Sequence, residues 1–382
     1  MFHTSVIEIS RSALEHNIAF INNMLGPQTK FSSVVKGNAY GHGIEEFASI
    51  ANENSINHFS VFSADEALRV KKVAPNATVM IMGMIDDNEL EWAIENQIQF
   101  YIFDPERADA AIAIAKKIKQ AARIHLEVET GMNRTGCSKE ELIYILKKIE
   151  QNPNDIIIEG LCTHYAGAEN IANYLRIKEQ IRKFNHLSKW LANQGISPKI
   201  KHTSCSASSI AYPQTKMDMA RIGILQYGFW PSRETFIHYL NHQPEKQDPL
   251  KRVIRWKSKV MSTKFIKIGE FVSYGTTYLA QKDMKIANVP VGYAQGYSRS
   301  LSNQGRVLVN GTIVNVISIV SMNMITIDIT DVPQTKKGDE VVLIGDQGNL
   351  SISVSSFSEL SSQLNYELLT RLPGNIPRII VD

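Results

Sequence analysis

The stretch Ser32-Ser33-Val34-Val35-Lys36-Gly37-Asn38-Ala39-Tyr40-Gly41-His42-Gly43, followed by an amphipathic run at 44–54, sets the reading of the fold. A short β-branched strand stops at a lysine, a turn carries three glycines, and a helix follows, which is the opening half of a βαβ unit. The same order repeats along the chain. Candidate strands at 59–62, 78–82, 100–103, 124–128, 156–160, 199–203 and 220–223 join the one at 32–35. Between them lie helical segments at 64–72, 89–96, 105–118, 139–150 and 172–192. Eight strands at this spacing predict a parallel sheet, and eight is the number that closes a (β/α)8 barrel. A doubly wound open sheet has the same local pattern, so the class is α/β and the count favours a TIM barrel.

Past residue 229 the helical periodicity fades and strand-like alternation takes over at 253–261, 272–278, 286–291, 306–309, 312–319, 324–329 and 340–344. The step Val309-Asn310-Gly311-Thr312 predicts a hairpin, because Asn-Gly readily supplies the positive φ angles of a type I′ turn. The expected organisation is a barrel over 10–240 and a mainly β domain over 241–382, whose sheet is joined by the strand at 6–9 of the segment 1–9.

The composition agrees with a folded enzyme-sized protein: 382 residues, 43% apolar and 21% charged. A net charge of +3 without a long Lys or Arg run argues against a nucleic-acid surface or an anionic-membrane anchor. Cys137, Cys162 and Cys205 are far apart with no C-x-x-C, which excludes a disulfide framework and fits a reducing compartment. No basic, then apolar, leader opens the sequence. The longest uncharged stretch, 308–327, is broken by polar residues and reads as paired strands rather than a membrane span. A soluble, cytoplasmic protein is expected.

In a TIM barrel the reactive groups gather where strands end. The strand ends here read Lys36; Glu127 and Glu129 followed by Gly131-Met132-Asn133-Arg134; His164; Ser204-Cys205-Ser206; and Arg221-Ile222-Gly223-Ile224. A lysine placed after Ser-Ser-Val-Val is either paired or has its amine lowered for covalent chemistry. Hydroxyls and glycines after the seventh and eighth strands suit a phosphate, since small residues let backbone N–H groups approach it. Lysine plus phosphate cradle suggests pyridoxal phosphate held as a Schiff base.

These segments resemble the alanine racemases, and the resemblance spans nearly the whole chain. It runs through the Lys36 segment, Thr130-Gly131-Met132-Asn133-Arg134-Thr135-Gly136, Thr163-His164-Tyr165, Asp218-Met219-Ala220-Arg221-Ile222-Gly223 and Tyr227-Gly228. In the second half it includes Val272-Ser273-Tyr274-Gly275-Thr276-Thr277-Tyr278, Gly292-Tyr293-Ala294, Ser321-Met322-Asn323-Met324 and Asn365-Tyr366-Glu367. The resemblance implies a pyridoxal-phosphate enzyme interconverting L- and D-alanine for peptidoglycan synthesis, as a homodimer with shared sites. Lys36 would bind the cofactor and act as one base; Tyr274, supplied across the dimer interface, would act as the other. Racemisation needs an acceptor on each face of the α-carbon. Arg134 would lie near the substrate carboxylate and Arg221 would face the pyridine nitrogen, with His164 supporting Arg221. Tyr40, Ser206, Gly223, Ile224 and Tyr366 would hold the phosphate. The Met322 backbone would meet the substrate carboxylate, and Tyr293 and Tyr278 would line the approach.

The sequence departs from the family pattern in places. Glu127 stands where many members carry a carbamylated lysine, which suggests that this carboxylate orients Arg134 directly. Ile319, Gln295 and Asn323 replace usual charged residues of the substrate channel, which keeps open a racemase of broader range acting on serine or basic amino acids. Two other readings are a non-catalytic pyridoxal-phosphate carrier, which would lack the β domain, and a decarboxylase of similar plan, whose second-domain cysteine motif is missing here. No metal is expected: His42, His125, His164 and His202 have no ligand spacing. His125, Glu127 and Glu129 alternate along one strand and are expected to face the barrel interior as a satisfied polar layer.

Overall fold

The alternation read from the sequence becomes nine parallel strand segments in one sheet. The structure is a computed structural model describing residues 3–354 and 365–382. After β1 (Ser5–Ser10), which lies elsewhere, come β2 (Lys30–Val34), β3 (His58–Val61), β4 (Thr78–Ile81), β5 (Gln99–Ile102) and β6 (Ala122–Glu127). Then follow β7 (Ile156–Cys162), β8 (Ile200–His202), β9 (Ser204–Cys205) and β10 (Met219–Ile222). Their order is β8-β7-β6-β5-β4-β3-β2-β10-β9. Only Thr203 separates β8 from β9, so these are two halves of one bent strand and the path returns to itself. The result is the (β/α)8 barrel. β3, β5 and β10 are buried along their length, as parallel strands covered by helices should be.

Local chemistry starts and stops the covering helices. Asp104 accepts from the Arg107 N–H at 2.8 Å ahead of Pro105–Ile118, and Lys119 ends that helix in the left-handed conformation. Lys139–Glu150 opens on a reciprocal box, the Ser138 hydroxyl accepting from the Glu141 N–H and the Glu141 carboxylate from the Ser138 N–H.

The remaining strands are β11 (Ile254–Lys259), β12 (Ser262–Ile266), β13 (Met284–Val289), β14 (Arg306–Val309) and β15 (Thr312–Ile317), then β16 (Ile325–Asp328), β17 (Glu340–Gln347), β18 (Leu350–Ile352) and β19 (Arg378–Val381). They form a second sheet in the order β12-β13-β16-β15-β14-β17-β11-β1-β19, with β18 paired to β17. β1 joins it as expected, antiparallel to β11 and parallel to β19. Asn310 (φ 47°) and Gly311 (φ 71°) make the hairpin turn between β14 and β15. The chain divides into two compact units. One comprises Leu14–Lys36 with Phe47–Lys251; the other takes the described residues of Met1–Ala13, Gly37–Glu46 and Arg252–Asp382.

Two expected strands need correction. The segment 272–278 is not a strand: Phe271 and Leu279 form an isolated antiparallel bridge, and Val272 donates to the Tyr278 carbonyl at 3.0 Å. Between them the chain turns through Ser273 (φ 61°) and Gly275 (φ 70°), left-handed angles outside the extended range of a regular strand. The strand expected at 253–261 stops at Lys259, and β12 follows it; β12 exposes Thr263, Lys264 and Phe265 and lacks the alternation that marks a half-buried strand.

The segment Gly37–Glu46 is packed closely within its unit. A methyl on Gly41 (φ +82°) would lie 1.9 Å from the Leu369 carbonyl oxygen. Gly311→Ala, at φ +71° with nothing within 4 Å, should cost only the left-handed strain of about 1–2 kcal/mol. Gly41→Ala should lower the thermal midpoint by clearly more than that control, and equal losses would sink the packing argument.

Candidate active site

β2 ends at Val34 and Val35 is buried, so the chain must turn at once to bring Lys36 out of the barrel wall. A buried staple fixes this end. The Val34 carbonyl accepts from Gln226 Nε2 at 2.9 Å and the Tyr227 hydroxyl at 2.8 Å, while the Ser33 hydroxyl donates to Gln226 Oε1 at 2.7 Å. Beyond Lys36 the backbone is left-handed for five consecutive residues: Gly37 (φ 64°), Asn38 (54°), Ala39 (53°), Tyr40 (51°) and Gly41 (82°). For the three that are not glycine this costs on the order of 1 kcal/mol each. The turn is offset by its own bonds, Gly41 N–H to Gly37 carbonyl and Gly43 N–H to Asn38 carbonyl, both 3.0 Å. Arg378 adds two more, donating to the Gly41 carbonyl at 2.9 and 3.2 Å.

Solvent reaches the Lys36 side chain, yet the protein around it desolvates the amine and lowers its pKa. The cations Arg134 and Arg221 lower it further, and Glu66 opposes them. Arg221, on β10, is only 5% exposed. Its Nη1 donates to His202 Nδ1 at 2.5 Å and to the His202 carbonyl at 2.7 Å, and its Nη2 donates to the Thr163 carbonyl at 2.8 Å. No acceptor meets its Nε–H among the described residues. His164 is not the hydrogen-bond partner of Arg221. It lies near enough that burial, and then the charges of Arg221, Arg134 and Lys36, push its imidazole down to about 3.

Glu127 is buried and desolvation raises its carboxyl; a hydrogen bond from Thr135 and the charges of Arg221 and Arg134 oppose that rise. It forms no ion pair with Arg134 among the described residues, and the Arg134 side chain is exposed. Glu129 does not continue the polar layer: past the end of β6 its carboxylate accepts from the Gly131 and Asn133 N–H groups and shapes the loop that carries Arg134. Ser206 starts the helix Ser206–Ala211, and its hydroxyl accepts from the Gly223 N–H at 3.0 Å, directly before the 3-10 turn Ile224–Tyr227. Lys36, Glu127, Arg134, His164, Ser206, Arg221, Gly223 and Ile224 thus come together at one end of the barrel.

The other unit carries the rest. Tyr274 sits at the tip of the 272–278 loop and is 73% exposed. Tyr293 and Met322 are neighbours: Tyr293 N–H donates to the Ser321 carbonyl at 3.1 Å and Ala294 N–H to the Met322 carbonyl at 2.9 Å, and both side chains are exposed. Gln295 does not extend into solvent alone, since its Oε1 accepts from the Gly292 N–H at 2.9 Å. Tyr40 lies on the left-handed turn. Tyr366 belongs to the helix Asn365–Thr370, and its side chain falls outside the described residues. Sequence reasoning assigned no site role to His202 or Gln226; the first was weighed only as a metal ligand.

Residues 9–231 match the family model of the alanine racemase N-terminal domain, and residues 253–380 match that of the C-terminal domain. The chain belongs to the alanine racemase family. It is 33% identical to the alanine racemase of Leptospira interrogans, over 100% of this chain and 96% of that one. With the enzyme of Halothermothrix orenii the identity is 35%, over 97% and 95%. Among solved structures it is similar to alanine racemase from Bacillus anthracis with bound L-Ala-P, at 30% identity and a TM-score of 0.91 over 100% of this chain and 96% of that one. Alanine racemase from Bartonella henselae, with covalently bound pyridoxal phosphate, superposes at a TM-score of 0.82 and 25% identity over the whole of both chains.

Alanine racemases depend on pyridoxal phosphate, and the residues at the barrel end fit that group. The amine of Lys36 is lowered toward the neutral, nucleophilic form. Arg221 gives three of its five N–H groups to His202 and Thr163, which leaves Nε–H and one Nη2–H without an acceptor among the described residues, and the Ser206–Gly223 step offers a hydroxyl with nearby backbone suited to a phosphate. Labelling with an amine-selective reagent across pH should therefore modify Lys36 with a midpoint below the ordinary lysine value of ~10.4. A midpoint at or above that value would refute the desolvation described here.

Proposed function

We propose that this protein is a pyridoxal-phosphate racemase that interconverts L- and D-alanine as a homodimer and supplies D-alanine for peptidoglycan synthesis. The observation that carries this reading is the lowered amine of Lys36 beside the buried Arg221, whose Nε–H meets no acceptor among the described residues. When bound, the cofactor supplies an electron sink that makes the α-hydrogen of alanine acidic. Everything else falls to the chain's own side chains. Lys36 Nζ exchanges a proton on one face of the α-carbon. Arg221 holds a permanent positive charge against the ring nitrogen and so opposes its protonation, which limits the electron sink and disfavours side reactions. Arg134 attracts the substrate carboxylate, with Glu127 tempering its charge. Ser206, Gly223, Ile224, Tyr40 and Tyr366 form the phosphate set, and the Met322 backbone and Tyr293 belong to the substrate approach.

The second acceptor is Tyr274, reaching in from a second copy of the chain. Its exposure supports this, as do the exposed side chains of Phe271, Tyr293 and Met322 on the same unit, at 52%, 41% and 57%. Apolar groups left open in this way favour a covering partner.

Lys36→Ala should abolish the borohydride-reducible visible band of protein incubated with pyridoxal phosphate. Tyr274→Phe should keep that band but lower D-alanine formation by roughly 10²–10⁴-fold, the usual worth of a positioned acid–base group. A Tyr274→Phe enzyme of undiminished turnover would overturn the two-base assignment. Glu127→Gln should raise KM for alanine more than it lowers kcat, because it acts on the charge of Arg134; unchanged kinetics would remove Glu127 from the mechanism. Comparing L-alanine with L-serine and L-lysine tests whether Ile319, Gln295 and Asn323 broaden the substrate range.

A further inference from the structure

Behind Arg221 a file of buried polar side chains crosses the barrel interior. His202 Nε2 lies 2.8 Å from His125 Nδ1, and His125 Nε2 lies 2.9 Å from Gln99 Oε1. Both histidines are 0% exposed and Gln99 is 5% exposed. The file is built into the backbone: on the strand between His125 and His202, residue 160 is glycine, and a methyl there would fall 2.1 Å from His125 Nδ1.

The direction of every bond in the file follows from its first member. A guanidinium has only donors, so His202 Nδ1 must accept and carries no hydrogen. The neutral imidazole then holds its proton on Nε2 and donates it to His125 Nδ1. His125 in turn carries its proton on Nε2 and donates it to the Gln99 carbonyl oxygen. Burial, and then the charge of Arg221 for His202 and of His58 and Arg221 for His125, press both rings well below the usual histidine range, so neither acquires a second proton.

We propose that Gln99, His125 and His202 form a one-way hydrogen-bond relay whose tautomers are dictated by Arg221, and that this relay holds the guanidinium in the orientation that leaves its Nε–H for the cofactor ring. His125 and Gln99 are thereby positioning residues for the racemisation, although the file places them behind Arg221. The positioning role rests on the pyridoxal-phosphate reading of the site; the tautomer pattern does not.

Two measurements test it. Long-range proton–nitrogen spectra of protein lacking cofactor, labelled with 15N-histidine and recorded from pH 6 to 9, should show His125 and His202 as neutral rings protonated on Nε2 and insensitive to pH. A ring protonated on Nδ1, or titrating in that window, would break the relay. The second measurement compares His125→Leu, which removes both polar ends, with His125→Gln, which keeps an acceptor and a donor. In protein loaded with pyridoxal phosphate, His125→Leu should shift the pH midpoint of the visible cofactor band and lower kcat by roughly ten- to a hundredfold, the scale seen when groups behind a bound centre are lost. KM for alanine should change little, and His125→Gln should recover most of both effects. Gly160→Ala should reproduce the loss by displacing His125, which gives an independent route if the leucine variant does not fold. A folded His125→Leu with wild-type band and turnover would reduce the file to a packing feature. Wild-type protein that takes up no pyridoxal phosphate would fell the proposed function and the positioning role together, while the cofactor-free spectra would still decide the tautomers.

Discussion

A permanently charged guanidinium inside a barrel is the constraint on which this site depends. Removing an unpaired cation from water costs several kcal/mol, so Arg221 can be buried only where acceptors already wait for it. The fold supplies them from two strands: the carbonyl and Nδ1 of His202, and the carbonyl of Thr163, which follows β7. That solution dictates its surroundings. The acceptor on His202 forces its proton to the far side, the far side needs another acceptor, and the strand between must be bare at Gly160 to let the second ring lie there. Burial lowers the histidines and the Lys36 amine around it, and the charge of Arg221 adds to that shift at each of them.

The placement of Lys36 solves a different problem. A strand that simply continued into a right-handed helix would carry the lysine away along the barrel wall. Here the chain instead winds left-handed from Gly37 to Gly41, which costs strain at Asn38, Ala39 and Tyr40, and the glycines confine that strain to three residues. Such strain persists only where neighbours over-determine the geometry. The staple of Gln226 and Tyr227 on Val34 holds one side of Lys36, and Arg378 on Gly41 holds the other side of the turn.

The barrel was legible because its signals are local. Apolar runs of about four residues, separated by amphipathic helices with clear caps, place each strand within two residues of where it lies, and the Asn310-Gly311 turn announces its hairpin. What failed to show was settled by tertiary pairing. β12 earns its place by bonding to β13 rather than by alternation, and β19 is found only because β1 offers it an edge. The tyrosine loop at 272–278 looks β-branched and aromatic, yet Ser273 and Gly275 reverse it. The family motifs located Lys36, Arg221, Ser206 and Gly223, which meet in space. They pointed to His164 as the support of Arg221, whereas the bond belongs to His202, thirty-eight residues further along, because contact between barrel strands is not encoded in sequence spacing.

The electrostatics of the barrel end also bear on why a racemase built here needs help from outside it. Proton exchange near neutrality requires a group that can change charge there. Burial holds His164 down to about 3 and presses His202 and His125 well below the usual histidine range, so none of these three imidazoles suits exchange near neutrality. Burial pushes Tyr165 up to about 12 and raises Tyr101 as well, which keeps both phenols protonated. Glu127 is engaged by Thr135 and faces two arginines. The Lys36 amine is lowered toward exchange by desolvation and by Arg134 and Arg221, and a single amine reaches a single face of an α-carbon. Exchange on the opposite face then calls for an acceptor of another kind. In the proposed two-base reading the second acceptor is carried by another copy of the chain, and the exposed phenol at the tip of the 272–278 loop suits that role.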